Sequence, residues 1–160
     1  MTAAISTSEH GWMLQNNVIT LRLETNGAIA ISPRNEPTTW LYGSAAAVTH
    51  PLSGGTSLHR PLELANKAIA HDVSYVDAHG AGARLEAEFT VSATGLRLRC
   101  VIILYEALPC IRLQLGAQNR AAEPIFIEQL LPLLVDARSA DQHIRTSAPG
   151  ENVISGTTIE

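Results

Sequence analysis

Aromatic side chains make up only 4% of this 160-residue chain and charged ones only 16%. The Lys and Arg residues form no cluster and the formal net charge is −4, so no electrostatic footprint for nucleic acid or an anionic membrane exists. No apolar run approaches the ~18 residues of a membrane span. The opening, MTAAISTSEHGW, lacks a basic stretch followed by an apolar one, and a cytoplasmic location is expected. Cysteine is limited to Cys100 and Cys110, too few for a disulfide framework and in keeping with a reducing compartment. The six histidines, His10, His50, His59, His71, His79 and His143, never stand two or four residues apart. That spacing gives no support for a metal site, and no cofactor is expected. Helical periodicity is scarce too: its best stretch, GSAAAVTH, is short and runs into Pro51.

What is present reads as β-structure. The composition is 46% hydrophobic without low-complexity tracts, enough for one packed domain that buries roughly 70% of the unfolded chain's surface. In VITLRLE, Ile19, Leu21 and Leu23 share one face while Thr20, Arg22 and Glu24 share the other, the period of a half-buried strand. Asn26-Gly27 follows, a strong hairpin signal, so residues 18 to 32 are predicted to form a hairpin. The stretch from residue 32 to 75 carries several prolines and glycines and reads as irregular, with Trp40 and Tyr42 inside it.

Regular alternation resumes at ARLEAEFTVSATGLRLRCVIILYEALPCIRLQLGAQN. A loop at SATG pairs Val91 with Leu96, Phe89 with Leu98, Ala87 with Cys100 and Leu85 with Ile102, closing an apolar face. The same register sets Glu88 against Arg99, a cross-strand charge pair of roughly 0.2–1 kcal/mol. A second loop at EALP pairs Leu104 with Ile111, Ile102 with Leu113 and Cys100 with Leu115. A three-stranded antiparallel meander over residues 84 to 118 is therefore predicted. It separates Cys100 from Cys110 by roughly 16 Å, too far for a disulfide. In PIFIEQLLPLLVD the alternation weakens, as in a strand covered on both faces, and Pro132 implies an edge or a bulge. The prediction is an all-β antiparallel β-sandwich over residues 1–136, with 137–160 a linker or tail that ends in a possible short strand.

Candidate sites are few. HDVSYVDAH brings His71, Asp72, Asp77 and His79 close in sequence, but a polar loop entering a strand has the same composition. Glu86 and Glu88 face away from the predicted core, where charges of a solvated strand lie. No catalytic residue is assigned. Trp40 and Tyr42 stand at i, i+2, so on a strand they project to one side, as a surface for stacking a sugar ring does; packing in the core or at an interface is the competing reading. The run CVIILY is apolar on both faces, which singles out Val101, Ile103 and Tyr105 as a patch that something must cover. Loops of the same module, a catalytic domain or a neighbouring subunit are the candidates, and a homo-oligomer is one outcome.

The stretch ARLEAEFTVSATGLRLRCVIILYEALPCIRLQLGAQNRAAEPIFIEQL resembles the N-terminal β-sandwich of melibiase-type α-galactosidases and related glycoside hydrolases. The resemblance rests on Tyr105, Glu106, Leu108, Pro109, Ile111, Arg112, Asn119, Glu123 and Pro124. Ala107 and the pair Ala121-Ala122 depart from the family's pattern, which has glycine at the first and glycine followed by an acidic residue at the second. The resemblance implies a galactose mutarotase-like supersandwich whose catalytic aspartates lie in a following (β/α)₈ barrel, a domain of about 250 residues. It implies a non-catalytic accessory domain for packing, oligomerisation or weak carbohydrate contact. A small mutarotase-like enzyme, with a His acid and a Glu base, is the alternative.

Overall fold

The computed structural model describes residues 3–36, 38–52, 55–59, 63–91 and 94–135, with 50–52, 55–59 and 63–70 described by backbone alone. The described residues are all-β and hold no helix. The strands are β1 (Ala4–Ser8), β2 (Gly11–Gln15), β3 (Ile19–Glu24), β4 (Ala28–Pro33), β5 (Leu41–Ser44), β6 (Ala47–Leu52) and β7 (Gly55–His59). They continue with β8 (Glu63–Asp77), β9 (Gly80–Val91), β10 (Leu96–Tyr105), β11 (Ile111–Gln118), β12 (Gln129–Leu131) and β13 (Leu134–Val135). One antiparallel sheet runs β1-β2-β3-β4-β5-β13, a second β11-β10-β9-β8, and a third, smaller one β12-β6-β7.

The first two sheets pack face to face. Leu14, Leu21, Leu23 and Ile29 from one meet Leu85, Phe89, Ile102 and Leu104 from the other, all at 0–1% exposure. At one end Ala46 and Val48 close over Val91, Leu96 and Leu98. This is the predicted antiparallel sandwich, since period-2 alternation on both sheets leaves one apolar face each to bury.

The meander forms in the expected register. Val91 pairs with Leu96, Phe89 with Leu98, Ala87 with Cys100 and Leu85 with Ile102. Leu104 pairs with Ile111, Ile102 with Leu113 and Cys100 with Leu115. Both cysteines are free, Cys100 buried and Cys110 exposed. Glu88 does lie opposite Arg99, but the ion pairs run diagonally: Arg97 Nη1 reaches Glu88 Oε1 at 2.6 Å, while Arg99 and Arg84 both hold Glu86. Long side chains reach a diagonal neighbour as readily as a direct one. The hairpin of β3 and β4 also forms, with a three-residue loop at Thr25–Gly27. Gly27 takes φ 82° and its N–H donates to Glu24 O, a geometry glycine enters without a Cβ penalty.

Two expectations are corrected. The middle of the chain is not irregular: it contains β5, β6, β7 and β8. GSAAAVTH contributes no helix, for Ala45 and Ala46 link β5 to β6, Ala47 opens β6, and all three are fully buried, Ala45 in one core cluster and Ala46 in the other. The segment at 129–135 is not a strand covered on both faces; its residues are half-buried or exposed. Its register nonetheless carries through. Leu131 lies opposite Ala47 and Leu134 opposite Ser44, which sets Pro132 in register with Ala46. The ladder breaks there because proline has no N–H to give, and β12 and β13 are both edge strands, the position expected for Pro132.

Candidate functional site

The densest cluster of polar side chains among the described residues sits on the outer face of the four-stranded sheet, at the end where β8 turns into β9. Tyr75, Gly82 and Tyr105 lie side by side on adjacent strands. A Cβ on Gly82 would stand 2.6 Å from Leu104 O, so glycine here lets β9 approach β10 closely between the two tyrosines. Asp77, two residues past Tyr75, points to the same face. Its Oδ2 accepts the Tyr105 hydroxyl at 2.7 Å and the Tyr75 hydroxyl at 3.1 Å. Its Oδ1 accepts the His79 amide at 2.8 Å, and Arg112 Nη1 from β11 stands 3.5 Å from Oδ2.

Burial alone would raise the pKa of Asp77, but the hydrogen bonds from Tyr105, the His79 amide and Tyr75 outweigh it and hold the carboxyl below its usual range. Burial, then the bond to Asp77, pushes both phenols up. The His79 ring lies 5.7 Å from that of Tyr105, tilted by 50°, with its Nδ1 3.6 Å from Asp77 Oδ1. The Arg84 guanidinium stands 6.0 Å above the Tyr75 ring. Asp77 is thus an anion whose acceptor positions are filled by the protein's own donors. Chemically this is a clamp, tying β8, β10 and β11 together, rather than a base waiting for a proton.

Of the four residues that the sequence brought together, the structure joins Asp77 and His79 and leaves His71 and Asp72 apart. His71 is exposed opposite Leu85, and Asp72 caps the amide of Ser74. The contribution of Tyr75, Tyr105 and Arg112 to one carboxylate was not read from the sequence, whose meander began at residue 84, beyond Gly82. The side chains of His50 and His59 lie outside the described residues, as does His143. Among the described residues no group of His, Cys, Asp and Glu is arranged to hold a metal.

Val101, Ile103 and Tyr105 form their own small cluster with Tyr75, at 7%, 1% and 2% exposure. The patch expected to await a partner is covered within the chain. Ile103 lies between Arg84 and Arg112 and Val101 between Glu86 and Gln114, and long charged side chains bury apolar surface with their stems while their heads stay in water.

Trp40 and Tyr42 lie on the outer face of the other sheet. Tyr42 is registered with Ala30, and Ala30 with Arg22. Trp40 and Tyr42 are 52% and 42% exposed, so of the competing reading only the core half is overturned; exposed aromatics suit an interface as well as a sugar. Glu86 and Glu88 are engaged by arginines, as charges of a solvated strand, and Arg99 holds Glu86 below its usual range. No helix of the described residues is long and apolar enough to cross a membrane.

The residues that carry the family resemblance lie at the two ends of β11. Tyr105 ends β10, Glu106 accepts the Ala3 amide, Ile111 and Arg112 open β11, and Asn119 closes the next turn by donating to Glu123 O and accepting from Ala121 N. No family model, curated protein or solved structure matches the chain.

Proposed function

We propose that this chain is a non-catalytic, N-terminal accessory module of a glycoside hydrolase of the α-galactosidase type, a sandwich that packs against a catalytic barrel or a neighbouring subunit and touches carbohydrate weakly. One observation supports this reading above the others. The residues of the α-galactosidase-like motif, Tyr105, Glu106, Arg112, Asn119 and Glu123, serve as hydrogen-bonding groups of strand ends and turns. A motif whose members tie down the two ends of β11 belongs to a scaffold. The mutarotase-like alternative asks for a His and a Glu facing one ligand; among the described residues the carboxylate that His79 meets is Asp77, and Asp77 is already fully engaged.

The reading predicts that the purified chain does not hydrolyse a chromogenic α-galactoside, nor speed the interconversion of galactose anomers followed by polarimetry. Turnover abolished by Asp77→Asn, Glu86→Gln or Glu88→Gln would overturn it.

A further inference from the structure

The four-stranded sheet has two edges, β8 and β11, and they differ. β8 is broken by register shifts between Leu64 and Ile69 and between Asp72 and Tyr75, the irregularities with which natural sheets spoil an edge for further pairing. β11 runs in unbroken register along β10, and among the described residues it pairs with β10 alone. Its eight residues, IRLQLGAQ, include no proline and a single charge, Arg112, which is directed at Asp77 on the outer face. Neither a bulge, a proline nor an inward-pointing charge blunts this edge.

The inner face of β11 is under-covered as well. Ile111, Leu113 and Leu115 pack against the core only half-buried, whereas Cys100, Ile102 and Leu104 beside them on β10 are at 0–1% exposure. Alternation places Arg112 and Gln114, both exposed, on the opposite face. This pattern is its own complement. A two-fold axis through Leu113 sets an antiparallel copy in a register that opposes Ile111 to the copy's Leu115, Leu113 to its counterpart and Arg112 to the copy's Gln114. On the inner side each half-buried residue then meets another, and on the outer side the lone cation meets a neutral amide. An axis through Arg112 opposes two like charges instead, and one through Gln114 gives Ile111 only the methyl group of Ala117.

We infer that β11 pairs antiparallel with β11 of a second copy of the chain, joining two four-stranded sheets into one of eight strands and covering Ile111, Leu113 and Leu115. A strand of unrelated sequence is the competing occupant. The second copy is favoured because its edge answers this one position by position, apolar to apolar and cation to amide, and because the two-fold axis forms the Ile111–Leu115 and Arg112–Gln114 contacts twice. This inference does not rest on the glycoside-hydrolase reading.

Gln114 supplies the test, since it is exposed and stands opposite the copy's Arg112 in this register. Sedimentation equilibrium of the full chain over a range of concentrations is expected to show a reversible dimer. Gln114→Arg opposes like charges twice across the axis and is expected to weaken the dimer by about 2- to 30-fold, while Gln114→Glu forms two ion pairs there and is expected to tighten it by a similar factor. Both variants should keep the β circular dichroism spectrum of the wild type. In the wild type the exchange of β11 amides directed away from β10 should slow as protein concentration rises, with β9 unchanged. A wild type that stays monomeric throughout overturns the inference. So does a dimer that both substitutions weaken or that neither changes, because the register or the edge is then another one. Slow exchange of those β11 amides in a monomer overturns it as well, since something other than a second copy then covers the edge. Should a variant lose its β spectrum, the concentration dependence of wild-type exchange decides the matter by itself.

Discussion

Asp77 accepts hydrogen bonds from Tyr75, Tyr105 and the His79 amide and faces Arg112, so one carboxylate joins three strands. Its folded pKa lies below the ordinary 3.8. An acid depressed in this way contributes stability that is present above its unfolded pKa and is lost as pH falls through the folded one. The two phenols are shifted the other way, above 10.0, so their contribution is present below about pH 10 and is lost as pH rises through their folded values. Asp77→Asn is therefore expected to lower the urea midpoint at neutral pH and to flatten its fall below about pH 4. The alkaline fall softens as well, because part of the rise in the phenols comes from the Asp77 charge. An acid limb identical in variant and wild type would show that the clamp carries no linked proton. Asn16 plays the matching role between the two sheets. Only 1% exposed, it donates through Nδ2 to Tyr105 O and Leu108 O and accepts the Val18 and Ile19 amides on Oδ1. Asn16 is given no role in the sequence analysis. Its partners lie some ninety residues away, and no local pattern encodes them.

Strands were legible where they have one wet face. The register of β9, β10 and β11 follows from alternation alone, because a one-residue slip would expose Phe89, Leu98 and Ile102 together. β5 to β8 were not legible. Their prolines and glycines imitate loops, and the alanine run links β5 to β6 through burial in the two clusters rather than through propensity. β10 was read correctly as apolar on both faces, yet its outer cover was sought in a partner. Alternation cannot distinguish a neighbouring subunit from the arginine stems and Tyr75 of the same sheet. With Ile103 at 1% exposure, both faces of β10 are core, and this reverses what a charge there should do. Ile103→Lys is expected to unfold the chain, since it buries an unpaired ammonium. Ile103→Ala should cost about 2–5 kcal/mol. Circular dichroism and urea midpoints measure both. A folded Ile103→Lys variant that sediments as a smaller species than wild type would restore the partner interpretation.

Across the whole molecule the two outer faces differ in kind. That of the four-stranded sheet is sealed by its own charges: Arg84 and Arg99 hold Glu86, Arg97 holds Glu88, and the Asp77 clamp occupies the end. That of the six-stranded sheet presents Trp40 and Tyr42 to solvent, with the exposed Arg22 further along the Tyr42 row. The proposed sugar contact is assigned to the second face, where an aromatic plane is open and no carboxylate–arginine network has to be broken. The i, i+2 spacing pointed to a shared exposed side in the sequence, although only Tyr42 lies in a strand and Trp40 immediately precedes β5. The Asp77 clamp was hidden because it depends on which strands lie side by side. The two tryptophans make the idea measurable: Trp12 packs against the core from the inner face, while Trp40 is exposed. Titration with galactose, melibiose or raffinose is expected to change the emission of the acrylamide-accessible tryptophan and to leave the shielded one unchanged. Trp40→Ala should abolish the response, and Tyr42→Ala should weaken it by roughly 1–3 kcal/mol at most, the cost of truncating one contact of a small interface. Both substitutions sit on an exposed face and should leave the urea midpoint within about 0.5 kcal/mol of wild type, so a lost response reports lost contact rather than lost fold. A sugar response that survives Trp40→Ala places the contact elsewhere.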